Sequence, residues 1–210
     1  MIDESTGGAL EIHFSPDGRW LMLWDWKGGC WQQWEVASAK LHRVPRRYQT
    51  CGKDVVFDPE SKRMAIQTHS KVVTVYDIET GTPLTVVQSW GMDTASAFSP
   101  DGKLLLTVPE KWSIDAVRIW DAWSGDLVLS LEGHSRGVNA ACFSPCGKYV
   151  ASASQDSTVR LWRTSDGSCV KTLTEHRHMV ESVAFSPDGR TLVSGDWYGV
   201  VIIRQMCDLV

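Results

Sequence analysis

The sequence predicts an all-β chain built from five copies of one four-stranded antiparallel unit. Three observations carry that prediction. A short phrase recurs along the chain: FSPDG at 14–18, 98–102 and 185–189, FSPCG at 143–147, and a degenerate FDPES at 57–61. The phenylalanines that open it, Phe14, Phe57, Phe98, Phe143 and Phe185, stand 43, 41, 45 and 42 residues apart. That interval belongs to a repeat architecture, in which one supersecondary unit stacks on the next. Finally, no segment has convincing helical periodicity, whereas short apolar stretches alternate with turn residues throughout.

Each unit follows the same order. A first strand runs into the phenylalanine, as in VNAACF and VESVAF. The S-P-D-G phrase is a hairpin loop, in which proline presets the backbone, aspartate bonds to it locally and glycine accepts positive φ. A second strand follows, such as KLLLTV or KYVASAS, and then a third that alternates: VVTVY at 72–76, AVRIW at 116–120, TVRLW at 158–162. A polar turn with a late glycine, Gly81, Gly125 or Gly167, leads to a fourth strand, PLTVV, LVLSL or CVKTL; the first unit carries Ala39 at the glycine position. The last unit reads CDLV at 207–210, where unit three begins its fourth strand with DLV, and at the other end only Met1 to Asp3 align with a fourth strand. The expectation is one repeat region spanning 1–210, open at both ends, with unpaired edges through which the isolated chain self-associates.

Composition limits the function. Hydrophobic residues make up 43% and charged residues 22% of the chain, enough apolar surface for a packed core. The net charge of −4 gives no global field toward nucleic acid or anionic lipid, so neither is expected as a partner. No apolar run reaches the length of a membrane span, and the opening MIDESTGGAL lacks a charged-then-apolar leader. The cysteines, at 30, 51, 142, 146, 169 and 207, form no C-x-x-C pair and no zinc-type spacing; they read as reduced thiols of a cytoplasmic protein. Eleven tryptophans are the one compositional oddity.

The ends of the third strands, Trp120-Asp121 with the variants Trp34-Glu35, Tyr76-Asp77, Trp162-Arg163 and Arg204-Gln205, resemble the tryptophan–aspartate (WD) repeat family. So does Gly133-His134, echoed by Glu175-His176 one unit later. The resemblance covers residues 9 to 205 and implies a β-propeller of radially arranged four-stranded blades. Family propellers more often have seven blades than five, so the five units are expected to be an open part of a larger, seven-bladed ring. The family's structural hydrogen-bond network maps onto His134, Ser152, Asp156 and Trp162. Ser152 is chosen over Ser154 because a three-residue turn would set it opposite Trp162. In unit five, Tyr198 takes the Asp position and Arg204 the Trp position, so the other units are expected to keep only fragments of the set.

Such a His–Ser–Asp group resembles a catalytic triad, but a serine locked in a buried network, without an oxyanion site or a G-x-S-x-G elbow, is structural. No catalytic, metal or cofactor site is therefore assigned. His176-Arg177-His178 offers two imidazoles and no third ligand. Cys142 aligns with Ala97 and Ala184 and reads as a small buried residue. The basic stretch RVPRRY at 43–48 is too small for a nucleic-acid footprint. First-strand positions facing a central channel, Leu10, Lys53, Thr94, Asn139 and Glu181, do not converge on one chemistry.

The informative residues are tryptophans that the repeat does not require. Trp26 and Trp197 lie 12 residues after their phenylalanines, in D-W-K-G and D-W-Y-G, and Trp112 lies in the corresponding turn of unit three. Their rings either pack between units or form an exposed aromatic rim. Trp20, nearer a hairpin loop, is expected to matter less to stability than Trp162. The expected function is a non-enzymatic scaffold for a protein or peptide partner, using a rim of Trp26, Met92, Thr94, Arg136, Asn139, Gln155, Met179, Glu181 and Trp197. Two alternatives are the sensory or regulatory end of a larger signalling protein, and a propeller enzyme or small-ligand binder that uses the channel.

Overall fold

The computed structural model describes residues 11–25, 30–42, 55–67, 72–88, 93–109 and 116–209. The strands form five separate antiparallel sheets, in which each strand pairs with its sequence neighbour. Sheet one holds β1 (Glu11–Phe14), β2 (Trp20–Asp25), β3 (Cys30–Glu35) and β4 (Lys40–His42). Sheet two holds β5 (Val55–Phe57), β6 (Arg63–Gln67), β7 (Val73–Asp77) and β8 (Pro83–Val87). Sheet three holds β9 (Thr94–Phe98), β10 (Leu104–Val108), β11 (Val117–Asp121) and β12 (Leu127–Leu131). Sheet four holds β13 (Val138–Phe143), β14 (Tyr149–Ser154), β15 (Val159–Arg163) and β16 (Cys169–Leu173). Sheet five has three strands, β17 (Val180–Phe185), β18 (Thr191–Asp196) and β19 (Val201–Gln205), followed by a 3₁₀ turn at Met206–Asp208.

The repeated turn chemistry fixes the hairpins. In sheet one the Ser15 amide donates to the Trp20 carbonyl, the Ser15 hydroxyl to Asp17, and the Trp20 amide back to the Ser15 hydroxyl. Ser99, Ser144 and Ser186 occupy the same place in their own turns. The glycine that follows is left-handed each time, with φ of 70, 68, 71 and 69° at Gly18, Gly102, Gly147 and Gly189. The degenerate FDPES turn keeps the geometry by other means. Asp58 replaces the serine and accepts the Lys62 and Arg63 amides, while Ser61 takes the left-handed position at φ 58°. Ala39 likewise stands at φ 50° where later units have glycine, a strain that its neighbours must hold.

First strands pack against first strands of the adjacent sheets, so β5, β9, β13 and β17 lie innermost. Each seam joins unlike faces. Val73, Val75 and Val87 of sheet two pack on Phe98, Leu105 and Trp120 of sheet three. Leu106, Val117, Ile119 and Leu131 pack on Phe143, Val150 and Trp162 of sheet four. Ala153, Val159, Leu161 and Leu173 pack on Val183, Leu192 and Met206 of sheet five. Burying one such aliphatic side chain contributes about 1.5–3 kcal/mol, so the seams hold the sheets together. Trp20 proves to be part of a seam: with Met22 it packs on Val55, Met64, Ile66 and Tyr76, and it is 2% exposed. Its nearness to a hairpin misled, because the turn itself packs against the next sheet.

The array is open, as expected. No strand of sheet one pairs with sheet five among the described residues. Phe14 is 59% exposed, whereas its counterparts Phe98 and Phe143 are buried; Ile203 is 67% exposed, whereas its counterpart Leu161 is fully buried.

Candidate functional site

Two questions bear on function: which polar groups the fold consumes, and which side chains it leaves presented. The network of sheet four is the clearest case of consumption. The Trp162 indole N–H donates to the Ser152 hydroxyl at 2.8 Å, and Ser152 lies 2.7 Å from His134 Nε2. His134 Nδ1 lies 2.9 Å from the Asp156 carboxylate, which also accepts the Ser135 amide and the Thr158 hydroxyl. Aspartate can only accept, so Nδ1 carries the proton, Nε2 accepts from Ser152, and Ser152 accepts from the indole. Burial opposes ionisation of Asp156, but the hydrogen bonds from His134 and Thr158 override it and hold the carboxyl well below the usual range. The serine chosen from sequence is the right one, though the register is not. Ser152 pairs with Arg160 and Val150 with Trp162, and the indole reaches across the strand to the hydroxyl.

The other sheets keep more of this network than the sequence suggested. In sheet three Thr107 stands in for the serine: it accepts the Trp120 indole and donates to the fully buried Asp93, whose carboxylate also holds Arg118 at 2.7 Å. In sheet five His176 lies 2.8 Å from the Ser194 hydroxyl and 3.0 Å from the Asp196 carboxylate. The acid is therefore Asp196, two residues before Tyr198. Arg204 replaces the indole, donating to Ser194 at 2.9 Å and forking onto Glu175. The signals that could have found it are in the sequence: an Asp two positions early, and a Glu where the Gly of Gly-His stands, facing an Arg where the Trp stands.

These networks are fully committed to structure. Each imidazole of the pair has both nitrogens engaged, and the serines are buried. Neither serine hydroxyl is free to attack a substrate. Cys142, expected to be a small buried residue, is half-buried, and its thiol donates to the Val183 carbonyl at 3.5 Å; burial pushes it up to about 11. A groove of about 460 Å³ lined by Gly147, Lys148, Tyr149, Arg163, Thr164 and Ser165 lies at the hairpin end of sheet four.

Exposed aromatic rings lie at both ends: Trp123, 64% exposed, stands in the turn after β11 at the hairpin end, and Trp197 at the opposite end, here called the upper rim. The turns after β14 and β18 meet the lead-ins to β13 and β17 there: the Gln155 amide bonds the Gly137 carbonyl and the Trp197 amide the Met179 carbonyl. Of the rim residues expected from sequence, Trp197 is 68% exposed and its neighbour Tyr198 is 71% exposed. Tyr198 packs its ring on His178 at 4.1 Å. Arg136 is exposed, while Thr94 and Met179 are half-buried. Gln155 is not a rim contact: it is buried and donates to Asn139 at 3.1 Å. Asn139 in turn donates to the Val180 carbonyl and the Glu181 carboxylate of the next sheet, so these three residues bridge sheets four and five. Sequence alignment placed them at the right height but could not show that a long amide would turn inward. Trp26, Met92, Trp112, Leu10, Lys53 and the 43–48 stretch lie outside the described residues.

Comparison with known proteins places this arrangement. The family model described as WD domain, G-beta repeat matches residues 125–163 and 167–204. The chain is 38% identical over 84 residues to pre-mRNA-processing factor 19 homolog 2 of Arabidopsis thaliana, covering 39% of this chain and 15% of that protein. It is 31% identical over 125 residues to pre-mRNA-processing factor 19 of Oryza sativa, covering 58% and 20%. It is 25% identical over 152 residues to transcription initiation factor TFIID subunit 5 of Caenorhabditis elegans, covering 70% and 22%. The matched stretches are thus less than a quarter of each relative's length.

Proposed function

The chain belongs to the WD-repeat family, and on that premise we propose that it is a non-enzymatic scaffold that presents its upper rim to a protein partner. The observation that carries this reading is the pair Trp197 and Tyr198. Both rings are exposed on a turn pinned to a rigid sheet by the Asp196 carboxylate, which accepts the Tyr198 and Val200 amides. Large aromatic surfaces held in place at low entropic cost are the usual anchors of protein recognition. The consumption of His134, His176, Ser152 and Ser194 in structural bonds favours binding over catalysis. One relative is named as a subunit of a transcription initiation factor, which accords with work inside an assembly. Cys142, Cys146, Cys169 and Cys207 are free thiols, which suits a reducing, cytoplasmic setting.

The test is cross-linking capture from cells of the source organism with wild-type chain and Trp197→Ala. The wild type is expected to retain a discrete partner, and the variant to lose most of it while melting at the same temperature. Unchanged capture by the variant removes the rim from the reading, and a variant that unfolds shows the ring to be core.

A further inference from the structure

Each seam of the molecule joins the same two faces. Alternate residues of a strand point to opposite sides of its sheet, so every sheet has an outgoing face toward its successor and a receiving face toward its predecessor. The outgoing face carries Ala65 with Val75 in sheet two, Leu106 with Ile119 in sheet three, and Ala151 with Leu161 in sheet four, all fully buried. The receiving face carries residues of the other parity, such as Phe143, Val150 and Trp162 in sheet four. The first seam obeys the same rule, with Met22 of sheet one against Met64 and Tyr76 of sheet two.

Two faces of this kind stay exposed. Sheet five keeps the outgoing set in register: Ile203 pairs with Val193 as Leu161 pairs with Ala151, and Val201 with Gly195 as Val159 with Ala153. Sheet one keeps the receiving set: Phe14 pairs with Leu21 and Leu21 with Trp34, as Phe143 pairs with Val150 and Val150 with Trp162. Every member is less covered than its counterpart. Val201 and Ile203 are 61% and 67% exposed and Val193 is half-buried, whereas Val159, Leu161 and Ala151 are fully buried. Phe14 is exposed and Leu21 and Trp34 are half-buried, whereas Phe143, Val150 and Trp162 are buried. One chain thus presents both halves of a seam it already makes internally.

We propose that the outgoing face of sheet five seats on the receiving face of sheet one of a second copy, so that chains join head to tail as the sheets within one chain do. The occupant of each face is therefore another molecule of this protein. The contact is heterologous, since it uses two different surfaces. Each added copy leaves one face of each kind free, and growth continues unless the rotation between copies closes a ring. A two-fold pairing, sheet five on sheet five or sheet one on sheet one, would repeat none of the seams in the molecule. The proposal is independent of the upper rim, which such an array leaves at the edge of every sheet.

The experiment is sedimentation velocity of the full chain with two variants, each blocking one face. Phe14→Lys places a charge on the receiving face and Ile203→Lys on the outgoing face, where an apolar seam offers it no partner. The wild type is expected to form species larger than a dimer as concentration rises. Each variant alone is expected to stay monomeric, its self-association weakened roughly tenfold or more, because its one live face has no match. An equal mixture of the two is expected to form a dimer and stop there, as the live outgoing face of Phe14→Lys meets the live receiving face of Ile203→Lys. Ile12→Lys and Val201→Lys, on the same two faces, replace either variant whose melting temperature falls. A monomeric wild type or a mixture no larger than its components overturns the proposal. So does a variant that self-associates alone as strongly as the wild type, since that assigns a two-fold contact instead.

Discussion

Trp162 shows what a single side chain carries in this chain. Its indole N–H is the first donor of a relay through Ser152 and His134 to Asp156. Trp162→Phe removes the indole N–H, orphans the serine's acceptor site and leaves part of the indole's space empty, and should cost at least about 1–3 kcal/mol in a denaturant titration. Trp20, buried in the first seam, should prove as sensitive to truncation as any core aromatic. Asp156 supplies the pH dependence. Its folded carboxyl ionises below the ordinary value of 3.8, so between the two values the unfolded chain binds more protons. Its stabilising contribution is complete above that ordinary value and is lost as pH falls through it toward the folded one. The stability gap between wild type and Asp156→Asn should thus be constant near neutrality and shrink in acid, measured by urea melts across pH. The sheet-four set was legible because His134, Ser152, Asp156 and Trp162 keep the family's residue types. The sheet-five set was not, because Asp196 lies two positions early and an arginine replaces the indole.

At the level of the hairpin and strand, the sequence is most informative about turns. The left-handed position is readable wherever glycine occupies it, and its geometry survives at Ser61 and Ala39, where glycine is absent. Gly147→Ala separates conformation from crowding. An added Cβ there would meet nothing nearer than 3.7 Å, so its cost, about 1 kcal/mol in a thermal or chemical melt, is that of φ alone. Gly125→Ala should cost more, because the new Cβ would stand 2.7 Å from the Val86 carbonyl oxygen. Pairing register was less readable. Shifts between Val138 and Ala140, between Leu161 and Trp162, and between Val180 and Ser182 move partners without changing the apolar alternation that reveals a strand. The same limit explains Gln155, whose height on the rim followed from alignment but whose inward turn depends on Asn139 one strand away.

Across the whole molecule, the seams explain both the repetition and the open ends. The faces left uncovered carry Ile12 and Phe14 on sheet one and Val201 and Ile203 on sheet five, all more than half exposed. Apolar faces of this kind drive association. The chain should sediment as a concentration-dependent mixture, and Phe14→Ser with Ile203→Lys should shift it toward monomer without lowering its melting temperature. A monomeric wild type at high concentration would count against this account of the faces. That five units are present was legible from the phenylalanine anchors; that their faces are of two kinds became visible only in the packing. In the seams on either side of sheet three, the aliphatic face of one sheet meets the phenylalanine and tryptophan face of the next. A gene segment encoding one unit, copied in tandem, therefore arrives with a socket for its predecessor and a plug for its successor. Such a chain can lengthen or shorten by whole modules without any residue at the old junctions having to change, whereas a duplication of half a module would bring like faces together and leave both unmatched.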